Sequence, residues 1–196
     1  MKGETIRRVR ELLRESPVVH IASVSRLVKS TGYAYLLMNY LVKRGEARRI
    51  TRGFYTIHED PALLVYCLKP AYLGLQDAMS VHGLWEQETV PVVITCRKVR
   101  SGLRTVMGQN VVIRRISKRY FFGYDYVERG GFHLPVSDVE KTLIDLVHFG
   151  EMRPELAEEF RVRVNRERLR TYLCAYPERV KREVWRLLSG RMESQA

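Results

Sequence analysis

Between residues 23 and 57 the spacing of apolar side chains changes from helical to strand-like. Two short helices followed by a hairpin satisfy that change. Ser23 is positioned to cap the first helix, which carries Val24, Leu27 and Val28 inward. Gly32 is read as its break, because glycine turns without steric cost. Residues 33–44 then make about three helical turns and stop at Gly45, a C′ glycine. Ala34, Leu37 and Leu41 fall at i, i+3 and i+7 and form one buried stripe. Tyr33, Leu36, Asn39, Tyr40 and Lys43 fall largely on the other side, although core packing is an equal reading for Tyr40. After Gly45 the period becomes two: Ala47, Arg49 and Thr51 alternate with Arg48, Ile50 and Arg52. Arg52-Gly53 turns the chain, and residues 54–57 return along it, with one of Phe54 and Tyr55 packed beneath. Residues 18–21 read as a short strand that joins this pair. The layout is that of a winged helix-turn-helix, with 33–44 as the recognition helix.

A helical hairpin beside a β-hairpin, with no nucleic acid involved, has the same outline, so charge has to decide. Residues 43–52 hold Lys43, Arg44, Arg48, Arg49 and Arg52 against one acid, Glu46. A purely structural hairpin does not require that excess. Of the chain's net charge of +12, residues 1–58 contribute +8, from 12 Lys and Arg against 4 Asp and Glu. Residues 59–150 contribute +1 and residues 151–196 contribute +3. The positive charge is therefore concentrated where a phosphate-binding surface needs it. Arginine outnumbers lysine 26 to 8 while asparagine and glutamine total 7, a balance that fits a thermophile.

The residues expected to meet DNA are Tyr33, Tyr35, Leu36, Asn39, Lys43, Arg48, Arg49 and Arg52. Tyr33 and Tyr35 suit sugar-phosphate or thymine methyl groups. The amide of Asn39 suits adenine. Arg48 and Arg52 share a parity on the wing strand and should point together at a phosphate or minor-groove edge.

The remainder reads as an α/β domain with a helical tail. Residues 2–15 form a first helix with Ile6, Val9, Leu12 and Leu13 inward. Asp60-Pro61 opens a helix in capping geometry, which puts the domain junction near 58–60. Residues 74–81 are helical, 90–95 and 110–116 are strands, and residues 121–128 and 132–136 pair around Arg129-Gly130-Gly131. Ser137-Asp138-Val139-Glu140 has the form of a capping box ahead of an apolar helix that Gly150 stops. Residues 154–165, 167–175 and 177–188 are three tail helices whose leucines and valines require a packing partner. The expected fold class is α+β, divided as 1–58, 59–150 and 151–196.

Chemistry is harder to find. Asp138 and Glu140, followed by Lys141, raise a metal-dependent nuclease or a nucleotidyltransferase as rivals. Both acids open a helix, where they are stabilising without any catalytic role, and Gly130-Gly131 lies too near for a nucleotidyltransferase turn. An RNA-binding module using the same basic surface is the other rival. His20, His58, His82, His133 and His148 have no metal-ligand spacing, and Cys67, Cys96 and Cys174 form no CxxC. No P-loop, GxGxxG or GxSxG is present. The expectation is no catalytic residue, no metal and no cofactor. No apolar run approaches a membrane span and no signal peptide opens the chain, so a cytoplasmic protein without membrane contact is expected.

Three stretches taken in order resemble a known family. They are Ile50-Thr-Arg-Gly-Phe-Tyr55, Ala78-Met-Ser-Val-His-Gly-Leu84 and Pro135-Val-Ser-Asp-Val-Glu-Lys-Thr-Leu-Ile-Asp145. In that order they resemble the AbiEi-type antitoxin and transcriptional regulator family over residues 5–150, and the tail more weakly. The resemblance implies a winged-helix DNA-binding domain followed by an α/β domain. It also implies autorepression at an operator and antagonism of a nucleotidyltransferase-like toxin of a type IV toxin–antitoxin system. It supplies no catalytic motif. The partners expected are double-stranded DNA and a cognate toxin, and a homodimer is allowed.

Overall fold

A computed structural model describes residues 2–87 and 89–190. The fold is α+β, and the chain divides into two compact units. The first holds residues 1–69 together with 103–111; the second holds 70–102 and 112–196. Among the described residues no helix is long and apolar enough to cross a membrane.

The first unit opens with α1 (Lys2–Glu15), which buries Val9 and Leu13. Strand β1 (Val19–His20) leads directly into α2 (Ile21–Val28), and α3 (Thr31–Lys43) follows. Strands β2 (Arg48–Thr51) and β3 (Phe54–Thr56) complete a three-stranded antiparallel sheet of order β1-β3-β2. Its core gathers Val9, Leu13, Val24, Ala34, Leu37, Met38, Leu41 and Tyr55. The stripe expected on α3 is thus buried, with Met38 added to it, and Tyr55 is the residue that packs under the hairpin.

Four local expectations are corrected here. Ser23 lies inside α2; the cap is His20, whose Nδ1 accepts from the Ala22 amide at 3.2 Å. The β1 pairing fixes the chain before Ser23 is reached, and the Ile21 amide already donates to the Gly53 carbonyl at 2.8 Å. Gly32 does not break the chain but lies in the first turn of α3. The turn is made by Lys29 at φ 55, and Ser30 caps α3 by accepting from the Tyr33 amide. Leu27 is exposed rather than inward. The wing parity also fails: the register shifts between Arg49 and Thr51, so Ile50 turns inward and Arg48 and Arg52 are no longer tied to one face. Because nothing lies within 4 Å of a Cβ built on Gly32, Gly32→Ala is expected to stabilise the chain by about 0.5 kcal/mol. A thermal melt of the full chain would register this as a small rise in midpoint.

The first unit also runs past the junction expected at 58–60. Asp60 accepts from the Ala62 amide at 2.8 Å and starts a 3-10 turn, Pro61–Leu63, which continues into α4 (Leu64–Cys67). That helix packs on β2, and Ala62, Leu63 and Val65 are fully buried.

The chain's larger sheet is mixed and of order β6-β7-β5-β4-β9-β8, and its strands β5, β4, β9 and β8 lie wholly in the second unit. The strands are β4 (Ala71–Leu73), β5 (Val92–Thr95), β6 (Gly102–Val106), β7 (Gln109–Arg115), β8 (Tyr124–Arg129) and β9 (Phe132–Ser137). Strand β4 is antiparallel to β5 and parallel to β9, while β5 and β7 are parallel. Helices α5 (Leu75–Val81), α6 (Val139–Phe149), α7 (Ala157–Arg163), α8 (Arg166–Leu173) and α9 (Glu178–Ser189) supply the rest. Helix α6 packs on α5, α8 and α9. Leu169, Leu173, Val180, Val184 and Leu188 share one core with Tyr72 and Ile94, so the tail helices belong to this unit.

The capping box is also corrected. Ser137 ends β9, and its Oγ is 2.7 Å from Thr142 Oγ1. Asp138 is the cap, accepting from the Lys141 amide at 2.7 Å, and Glu140 does not reach back. Asp138→Ala is therefore expected to cost about 1–2 kcal/mol, measured by chemical denaturation of the full chain. An unchanged midpoint would show the cap to be idle.

Candidate nucleic-acid interface

Helix α3 is buried along one side only. Ala34, Leu37, Met38 and Leu41 face the core, while Tyr33, Tyr35, Leu36, Asn39, Tyr40 and Lys43 are exposed. Tyr40 is therefore outside the core. Its hydroxyl accepts from Arg44 Nη1 at 3.1 Å, and the same guanidinium lies 5.5 Å from its ring centroid. The six outward residues of one helix offer aromatic, aliphatic, amide and cationic groups with no acid among them.

The cations nearby divide into two sets. Arg10 and Arg44 both donate to Glu46, at 2.8 and 2.9 Å, which ties α1 to the turn after α3. Both arginines lower the Glu46 carboxyl, chiefly through the Arg10 hydrogen bond. Arg48 is paired with Glu59, so one of the expected wing contacts is already engaged inside the chain. By contrast, Lys29, Lys43, Arg49 and Arg52 form no ion pair among the described residues. Burial pushes the Tyr55 phenol up, and both Arg49 and Tyr35 act on that phenol electrostatically. All eight expected DNA residues are exposed, and of the four cations among them Arg48 alone forms an ion pair among the described residues.

The rival site at Asp138 and Glu140 is differently arranged. Asp138 Oδ1 accepts from the Lys141 amide, and Oδ2 accepts from the Tyr172 hydroxyl at 2.8 Å. Glu140 Oε1 accepts from the Asn165 amide at 2.6 Å, and Oε2 lies 3.5 Å from Arg168 Nη1. Burial raises the Asp138 carboxyl, which those hydrogen bonds oppose. All four carboxylate oxygens are turned to protein donors. Among the described residues no three His, Cys, Asp or Glu side chains gather as a metal-ligand set.

No family model matches this chain, and no curated protein matches it. A solved structure does. The crystal structure of the RV2827C protein from Mycobacterium tuberculosis aligns with a TM-score of 0.64 over 95% of this chain and 76% of that one, at 15% identity. At that identity the likeness is one of fold.

Summing charge over 59–150 as a block conceals one basic stretch. Residues 97–119 hold eight Lys or Arg and no acid. Within the second unit, β5 and β7 run parallel with Thr95 opposite Arg115. Both strands therefore leave the sheet at the same end, followed by exposed Arg97 and Lys98 on one side and Lys118 and Arg119 on the other. Counting charge along this run alone, rather than over 59–150 as a block, makes it visible.

Proposed function

We propose that this chain is a duplex-DNA-binding regulator of the antitoxin type, with its first unit acting as a winged helix-turn-helix. The observation that carries the reading is the outward face of α3, acid-free and accompanied by four cations that have no ion pair among the described residues. Helix α3 enters the major groove, Arg49 and Arg52 hold phosphate, and Arg48 stays with Glu59. The cationic ends of β5 and β7 are a separate, sequence-independent phosphate-binding surface of the second unit. The saturated carboxylates of Asp138 and Glu140 support a structural rather than catalytic role there. Repression of its own operon and relief of a nucleotidyltransferase-like toxin complete the reading, both drawn from the family resemblance.

The test is a titration of the full chain against a random duplex pool, the matching A-form RNA duplex and a selected site, at two salt concentrations. Preference for the selected DNA, with a steep loss of affinity as salt rises, supports the reading. Equal or tighter binding to the RNA duplex would favour an RNA-binding module instead. Arg115→Ala with Lys118→Ala should lower the salt slope by about 2 and leave sequence preference unchanged. Co-expression with a nucleotidyltransferase encoded beside the gene should relieve its toxicity; absence of relief removes the antitoxin half.

A further inference from the structure

The exposed face of α3 carries one aliphatic and three aromatic side chains beside one amide and one cation. Leu36 is 68% exposed, the most exposed apolar side chain of the helix. Asn39 stands three residues on, also exposed, and its amide has no hydrogen-bond partner among the described residues. A spacing of i, i+3 places the two side chains on one face, on successive turns. Their separation along the helix axis is about 4.5 Å, comparable with the roughly 3.4 Å rise between base pairs. Side chains so placed reach the same base pair or its neighbour.

The two chemistries select the same kind of base pair. In the major groove adenine offers N7 as acceptor and N6–H as donor, the pattern an amide completes. Its thymine partner offers a C5-methyl, and an aliphatic side chain is the group that gains by covering it. A G·C pair presents neither feature. Charge indicates what covers the face. Lys29, Lys43, Arg49 and Arg52 have no internal ion pair, so two copies meeting through this surface would bring like charges together, whereas a duplex brings phosphates.

Resting on the DNA-binding reading above, we infer that Leu36 and Asn39 form a combined reader of A·T pairs, Leu36 covering a thymine methyl and Asn39 pairing with adenine. The preferred site therefore contains an A·T step whose thymine methyl contributes to affinity.

The experiment uses the full chain and a duplex selected from a random pool. Each thymine of the site is replaced in turn by deoxyuridine, which removes the methyl and nothing else. Each adenine is replaced by 7-deazaadenine, which removes N7. For the unmodified protein, one deoxyuridine position should weaken binding about fourfold, and one 7-deazaadenine position about tenfold. Leu36→Ala should be indifferent to that deoxyuridine yet still sense 7-deazaadenine, and Asn39→Ala should show the reverse. Leu36→Met should keep the methyl effect. Both side chains are exposed, so both variants should melt with the parent, and that is measured alongside. If every thymine tolerates deoxyuridine, or if Leu36→Ala loses as much as the parent on demethylation, the inference is overturned while DNA binding stands. If Leu36→Ala changes the oligomeric mass and not the methyl effect, the face is a protein interface and the inference is likewise overturned. If the unmodified protein binds no duplex, the DNA-binding reading fails and the inference fails with it.

Discussion

Lys141→Met should lower the stability of the full chain by about 3–5 kcal/mol at neutral pH. Lys141 is fully buried and paired with Asp145, which is fully buried too. Asp145 also accepts from the Tyr72 hydroxyl at 2.7 Å and the Tyr176 hydroxyl at 3.5 Å. The ammonium stands 5.3, 5.7 and 5.8 Å from the ring centroids of Tyr72, Phe122 and Tyr176. These contacts join β4, α6 and the junction between α8 and α9. Burial lowers the lysine and raises the aspartate, and each partner opposes the shift of the other. Methionine keeps the volume and removes the compensating charge, so the carboxylate is left with phenols alone. The sign of the pH effect follows. An acid whose folded-state pKa is raised binds its proton more readily when folded, so its folded form is favoured as pH falls. The variant should therefore regain part of its loss between neutral and mildly acidic pH, and replacing Asp145 with leucine as well should recover more. Chemical denaturation at the two pH values reads both effects. Equal midpoints for parent and Lys141→Met would mean that the pair does not pin α6.

Reversing Arg49 and Arg52 together to glutamate should lower duplex affinity a hundredfold or more at physiological salt. Ion release alone, at a slope of about 0.9 for each phosphate, makes the loss of two contacts worth roughly thirtyfold. Two carboxylates facing phosphates add repulsion to that. The same variant should bind selected and scrambled duplexes with nearly equal losses, because phosphate contacts position without discriminating. Arg48→Ala is the internal control. Arg48 is engaged with Glu59, so its removal should change affinity far less. A salt slope left unchanged by the double reversal would move the phosphate contacts off the wing.

The sequence made α3 legible because its apolar spacing is helical and because one side only is buried. The β2–β3 hairpin was legible from its turn and its change of period. The same method misjudged Gly32, since a glycine in a first helical turn looks identical to a breaker when Lys29 adopts the left-handed conformation nearby. It misjudged the wing arginines because a shifted register leaves no trace in alternation. Strand β4 escaped entirely: all three of its residues are buried, so it has no period to detect. The Lys141–Asp145 pair reads from sequence as an ordinary i, i+4 surface pair. Only the burial of every residue from 140 to 146 shows otherwise. The exposure of the outward residues of α3 was legible in their spacing, whereas the pairing of Arg48 was not, because its partner Glu59 comes from beyond the β2–β3 hairpin.

The interleaving of the two units has a consequence for the order in which they can be completed during synthesis. Domains generally fold as units while the chain emerges from the ribosome, beginning with the N-terminal one. Here the first unit includes residues 103–111, with Val106 and Val111 buried and Gln109 donating to the Glu59 carbonyl at 3.1 Å. Those residues are made only after β4, α5 and β5 of the second unit have been translated. The first unit is therefore incomplete until more than half the chain exists. No single cut separates one intact unit from the other, and a fragment ending at residue 58 lacks both α4 and residues 103–111. In a chain of this design the first unit is completed only once the second is well under way.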